Sequence, residues 1–137
     1  MSADIKHQCE LFLCEKLALA VADHTFYPYH GGTAALDAEE IEPPFTVVML
    51  ESAEKTHPNE GTWICNGTIQ TITHHKESSV QAHTELSRSV YAALDLSPQA
   101  TGTFILHGID ITKVSTAEDD QLGCRATVIA FTAGVSG

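Results

Sequence analysis

The spacing of apolar and polar positions resolves the chain into helices and strands before any motif is considered. Residues 3–22 carry Ile5, Cys9, Phe12, Leu13, Leu17 and Ala20 at helical spacing, with Ser2 placed as N-cap and Asp4 in the first turn. Leu11, Cys14, Ala18 and Val21 make the opposite face apolar as well, and a helix apolar all round is buried on more than one side. In so small a domain this predicts a neighbouring subunit packed against Leu11, Cys14, Ala18 and Val21. Phe45–Glu51 is apolar on both faces, as a central strand is. Thr62–His74 is Thr-rich and β-prone around Trp63, Ile64, Ile69 and Ile72. Asn66-Gly67 within it is a hairpin signal, but the flanking pieces would be very short, which favours a bulge or bend in one long strand.

A second helix runs from a cap at Ser78 or Ser79 to about Asp95. Val80, His83, Leu86, Val90, Tyr91 and Leu94 gather on its buried side and Gln81, Glu85 and Arg88 on the other, and Pro98 ends it. Thr103–His107 and Ile109–Val114 read as short strands around Gly108, followed by an exposed acidic turn, Glu118-Asp119-Asp120. Cys124–Ala133 is a closing strand apolar on both faces. Residues 23–44 are irregular, with Tyr27-Pro28-Tyr29, Gly31-Gly32, an acidic stretch (Asp37, Glu39, Glu40, Glu42) and Pro43-Pro44. A connection this long is commonly functional or an interaction arm. The order of elements predicts one α+β domain over residues 1–137, a mainly antiparallel sheet with helices packed on one face.

With 137 residues, 43% hydrophobic and 18% charged, the chain matches one globular core and is too apolar for general disorder. No run approaches the ~20 apolar residues of a membrane span. The residues from Met1 to Ile5 lack the basic start and apolar stretch of a secretory signal, so a soluble, unexported domain with no membrane partner is expected. Eighteen acidic against seven basic residues give a net charge of -11. The cations are scattered singly, which argues against tight nucleic-acid binding but suits a surface past which nucleic acid slides without sticking.

Candidate chemistry is sparse. Cys9, Cys14, Cys65 and Cys124 form no C-x-x-C, and free, mostly buried thiols are expected. His74 and His75, adjacent on a strand, point to opposite faces. His24 and His30, near Tyr27, Tyr29 and Asp37, are the best local cluster, but they lack zinc-ligand spacing. No G-x-S-x-G, catalytic-cysteine signature or Walker loop occurs, and the acidic run at 118–120 lacks the spaced ligands of a calcium loop. No catalytic residue, metal or cofactor is predicted.

The succession of elements is more telling. An N-terminal helix and a long loop lead to an apolar strand ending in acids, then a polar turn and a Trp63-containing strand with Thr alternation. An amphipathic helix follows, then a strand pair through His107-Gly108-Ile109, an Asp119-Asp120 turn and a closing strand. From Ile5 to Phe131 this pattern resembles the tail terminator (tail completion, or head–tail joining) proteins of long-tailed bacteriophages. The resemblance implies a non-enzymatic virion protein, assembled in the host cytoplasm as a homo-oligomer, a hexameric ring. Such a ring caps the tail tube, docks the head connector and lets DNA pass; Glu118, Asp119 and Asp120, with Glu54 and Glu60, are then candidates for an acidic channel wall. Another neck or tail-tube subunit is the neighbouring reading. A small α+β enzyme or ligand-binding module around His24, Tyr27, Tyr29 and His30 is the competing one.

Overall fold

A computed structural model describes residues 2–29, 44–56, 61–74, 80–94, 99–100, 105–119 and 123–136. The elements are α1 (Ser2–Ala20), β1 (Phe26–Pro28), β2 (Phe45–Lys55), β3 (Thr62–His74), α2 (Val80–Ala93), β4 (Gln99–Ala100), β5 (Ile105–Asp119) and β6 (Cys124–Ser136). The strands form one sheet in the order β1-β2-β3-β6-β5-β4, antiparallel at every pairing except that of β1 with β2. The protein is thus α+β, as the order of elements predicts.

The centre of the sheet is set by β3 and β6, which pair without a register shift from Thr62 opposite Ser136 to His74 opposite Cys124. Their alternation fixes an inner face. Cys65, Gly67, Ile69 and Thr71 lie beside Ala133, Phe131, Ile129 and Thr127, all buried. Val48 and Leu50 extend that face on β2, and Leu106 extends it on β5. Helix α1 covers the β1–β2 side with Cys9, Leu13 and Leu17, and α2 packs over β3 and β6 through Val90 and His83. Each fully buried Leu, Ile or Phe here contributes about 1.5–3 kcal/mol of burial free energy.

Several expectations change. Cys14 and Val21 are each only 8% exposed and belong to the protomer's own core, whereas Leu11 is 45% exposed and Ala18 also faces solvent. The four therefore share no single outward surface, because the core-facing arc of α1 is wide enough to take in the Cys14 flank. On α2, Val80 and Tyr91 lie in solvent, and the buried side narrows to His83, Val90 and the following Leu94.

The irregular stretch contains a strand: β1 pairs in parallel with Thr46–Val48, flanked by Thr46 N–H donating to the Thr25 carbonyl and Tyr29 N–H donating to the Val48 carbonyl, each at 3.0 Å. β3 is continuous through Asn66-Gly67, and the irregularity falls on β2, where the register shifts between Leu50 and Ser52. β2 runs on to Lys55, so Glu54 is a strand residue. The segments either side of Gly108 are one strand, β5, with shifts at Leu106/Gly108 and Ile111/Lys113. It reaches Asp119, so Glu118 and Asp119 are strand residues opposite Arg125 and Cys124, not a loop tip. His30, Asp37, Glu60, His75, Ser78, Ser79, Pro98 and Asp120 lie outside the described residues.

Candidate functional site

Of the histidine cluster, His24 is described, and it has a structural role. Nε2 of His24 is 2.7 Å from the Thr46 hydroxyl, which lies 3.1 Å from that of Thr71, and the ring packs edge-on against Phe26 at 5.0 Å. Burial lowers the His24 pKa, so the ring is held neutral, as a hydrogen-bonded anchor between the α1–β1 turn and the sheet. Tyr27 stacks edge-on with Phe45 at 6.0 Å. Among the described residues no three His, Cys, Asp or Glu side chains converge as a metal site.

His83 is the second anchor. Its Nδ1 lies 2.8 Å from the Thr73 hydroxyl and its Nε2 2.7 Å from that of Thr127, which in turn meets Thr116 Oγ1 at 2.9 Å. A neutral imidazole can donate at one nitrogen and accept at the other, satisfying both hydroxyls. Burial first, and then the neighbouring Arg125, lower its pKa, with Glu118 opposing them. This chain ties α2 to β3, β6 and β5.

Beyond that tie α2 stands away from β5. Between them opens a cleft of about 330 Å³. Its apolar lining comes from Val80, Tyr91, Val114 and Ile129, and the first three are 61%, 48% and 49% exposed. Its polar lining includes Arg88, Arg125 and Glu118. Arg125 is buried, and its Nε donates to Glu118 Oε1 at 2.8 Å. Glu118 is therefore an ion-paired wall of this cleft. The Ser87 hydroxyl, also lining it, is buried without a hydrogen-bond partner among the described residues. The adjoining β5 is an open edge: β4 pairs only with Leu106 and Ile105, and from Gly108 to Asp119 no described strand lies on the outer side. Sequence reasoning missed the cleft because Arg88 and Arg125 are distant in sequence, and only the β5–β6 register brings Val114 and Glu118 beside them.

A second exposed apolar stripe lies on α1, where Leu11 and Ala18 are joined by Leu19, 76% exposed. A helical wheel places Leu19 about two turns beyond Leu11 and about 80° around the axis, with the exposed Glu15 between them. The described structure has no helix long and apolar enough to cross a membrane.

No family model matches the chain, and no curated protein does. Among solved structures, a chain of the virion of a native gene transfer agent particle matches over 99% of this chain and 92% of its own length. The TM-score is 0.55 at 15% sequence identity. At that identity the likeness is one of fold.

Proposed function

We propose that this chain is a structural virion protein of the tail-terminator kind: a ring subunit that caps a tail tube, docks the head connector and lets DNA through. The observation that carries the reading is a fold shared along nearly the whole chain with a component of a gene transfer agent virion. The surface supports it. Leu11, Leu19, Val80, Tyr91 and Val114 are large apolar side chains left in solvent. They fall on two separate regions, the outer stripe of α1 and the α2–β5 cleft, as a head-to-tail contact between copies requires. The net charge of -11 suits a channel that DNA crosses without sticking. Asp119 and Asp120 remain candidates for its wall, whereas Glu118 is engaged by Arg125.

The test is negative-stain imaging of the purified protein alone and mixed with tail tubes. Six-fold rings seated on tube ends, with tube growth arrested, are the expected result. Failure to join tube ends would sink the reading, even if the protein forms oligomers by itself.

A further inference from the structure

We infer that the outer stripe of α1, from Leu11 to Leu19 with Glu15 at its centre, seats in the α2–β5 cleft of a second copy of this chain. The inference deepens the reading of the chain as a ring subunit by naming both halves of the contact between copies, and it rests on that reading.

The cleft defines its occupant first. Its walls are apolar and exposed at Val80 and Tyr91 on α2 and at Val114 on β5. Two hydrogen-bond donors line it without a partner among the described residues, the Arg88 guanidinium and the Ser87 hydroxyl. Arg125 and Thr127, buried in the same wall, are already engaged, the first by Glu118 and the second by His83 and Thr116. What fits is an apolar surface that carries one acid.

Helix α1 presents such a surface. Leu11, Glu15, Ala18 and Leu19 are all exposed and share an arc of about 100°. That arc lies opposite the side that Leu13 and Leu17 bury. Leu11 and Leu19 stand about a turn either side of Glu15 and span about 12 Å, while Val80 and Tyr91 stand either side of Arg88 and span about 16 Å. Each row reads apolar, charged, apolar, with opposite charges in the middle. A helix seated in a groove is held by anchors at i, i+4 and i+7, which is the spacing of Leu11, Glu15 and Ala18. Glu15, like Arg88, has no ion-pair partner among the described residues.

The chain cannot fill its own cleft. α1 lies over β1 and β2, on the far side of α2 from β5, with its stripe turned away from the sheet. The occupant is therefore the stripe of another copy. Charge selects that partner: with eighteen acids and seven cations on each chain, two copies repel unless an acid of one meets a cation of the other. Glu15 against Arg88 is such a meeting, and it leaves neither charge unpaired. Because stripe and cleft are different patches, each copy offers one to either neighbour, and the contact passes head to tail from copy to copy.

The experiment mixes full-length chains of two tagged sizes under mild oxidation, one carrying Leu11→Cys or Leu19→Cys and the other Val114→Cys. A disulfide forms only where two Cα atoms come within about 7 Å. At least one pair should therefore give a linked heterodimer above the background of each variant with the wild type. Adding Arg88→Glu to the Val114→Cys chain should cut the yield about tenfold, as loss of a charge-assisted hydrogen bond does. Adding Glu15→Arg to its partner should then restore it. All five sites are exposed, so circular dichroism should match the wild type throughout. No heterodimer from either pair, or a yield indifferent to Arg88→Glu, overturns the inference. So does a chain carrying Leu19→Cys and Val114→Cys that closes on itself at high dilution. Linkage without capping of tube ends would keep the contact and remove the terminator reading, and capping without linkage would do the reverse.

Discussion

The Glu10 carboxylate takes up the Leu50 backbone N–H at 2.8 Å, both residues fully buried. Along the outer edge of β2, Thr46 and Val48 make their bonds to the chain around β1. Leu50, two residues further on, points the same way, but β1 has ended. Glu10 on α1 supplies the missing acceptor beside the register shift at Leu50/Ser52. An acid among apolar neighbours thus does the work of an absent strand. Glu10→Ala should lower stability by about 1–3 kcal/mol, the cost of a stranded buried donor. Glu10→Gln, which keeps a carbonyl acceptor, should lose less, and urea unfolding of the two variants measures the difference.

Gly67 faces the core opposite Leu50. A Cβ there would run into the Met49 carbonyl oxygen, and would sit 3.0 Å from Cζ of Phe131 and 3.1 Å from Cα of Leu50. Two of these neighbours are backbone and cannot yield cheaply. Gly67→Ala should therefore destabilise by about 1–3 kcal/mol, and Phe131→Leu in the same background should recover none of it, because the backbone contacts remain. Thermal melts of the single and double variants decide; an unchanged melting temperature for Gly67→Ala would exclude the close approach.

Burial pushes the thiols of Cys9 and Cys14 up to about 12 and that of Cys65 to about 11, with Glu10 adding to the first two. In the unfolded chain these groups ionise near 9. Their contribution to stability is thus complete below pH 9 and is lost as pH rises from there towards 11–12. Unfolding free energy should fall across that window, and less so in Cys9→Ala. At pH 8 a thiol reagent should modify only Cys124, the half-buried one, until denaturant is added.

On α1, Leu11→Glu and Ala18→Glu should leave circular dichroism and stability within about 0.5 kcal/mol of the parent, since both sites face solvent. Cap formation on tail tubes should be lost. Cys14→Glu should instead unfold the protein, because its charge would lie in the core. Intact caps with both surface variants would exclude this stripe from the interface.

Much of the architecture was legible because burial writes itself into spacing. Val48 and Leu50 on β2 and the alternation of Ile129, Phe131 and Ala133 on β6 mark strands covered by helices, and His83 with Val90 marks the seated side of α2. Legibility fails where covering fails. Beyond Val114, β5 carries Ser115, Thr116, Ala117 and Glu118 because α2 leaves it exposed, so no apolar alternation betrays the strand. Its register shifts also break the two-residue period that would have joined the pieces around Gly108. β1 is three residues long and exists through its bonds to β2, which no local pattern announces. For the all-round apolar α1, spacing alone cannot say which arc faces inwards. Cys14 and Val21 therefore carry the same spacing signal as Leu11 and Ala18, though only the first two are buried.

The place of β6 in the sheet orders events during synthesis. β1, β2 and β3 can join one another, and β4 can meet β5, but the two halves share no strand until β6 enters between β3 and β5. β6 leaves the ribosome after every other element. A nascent chain stopped short of Cys124 therefore leaves β3 without its partner and β5 held only by its two-residue pairing with β4, a state exposed to wrong partners. The same wait delays the cleft: the wall of the α2–β5 cleft is completed by Arg125 and Ile129 of β6, so it takes shape only at the moment the fold closes.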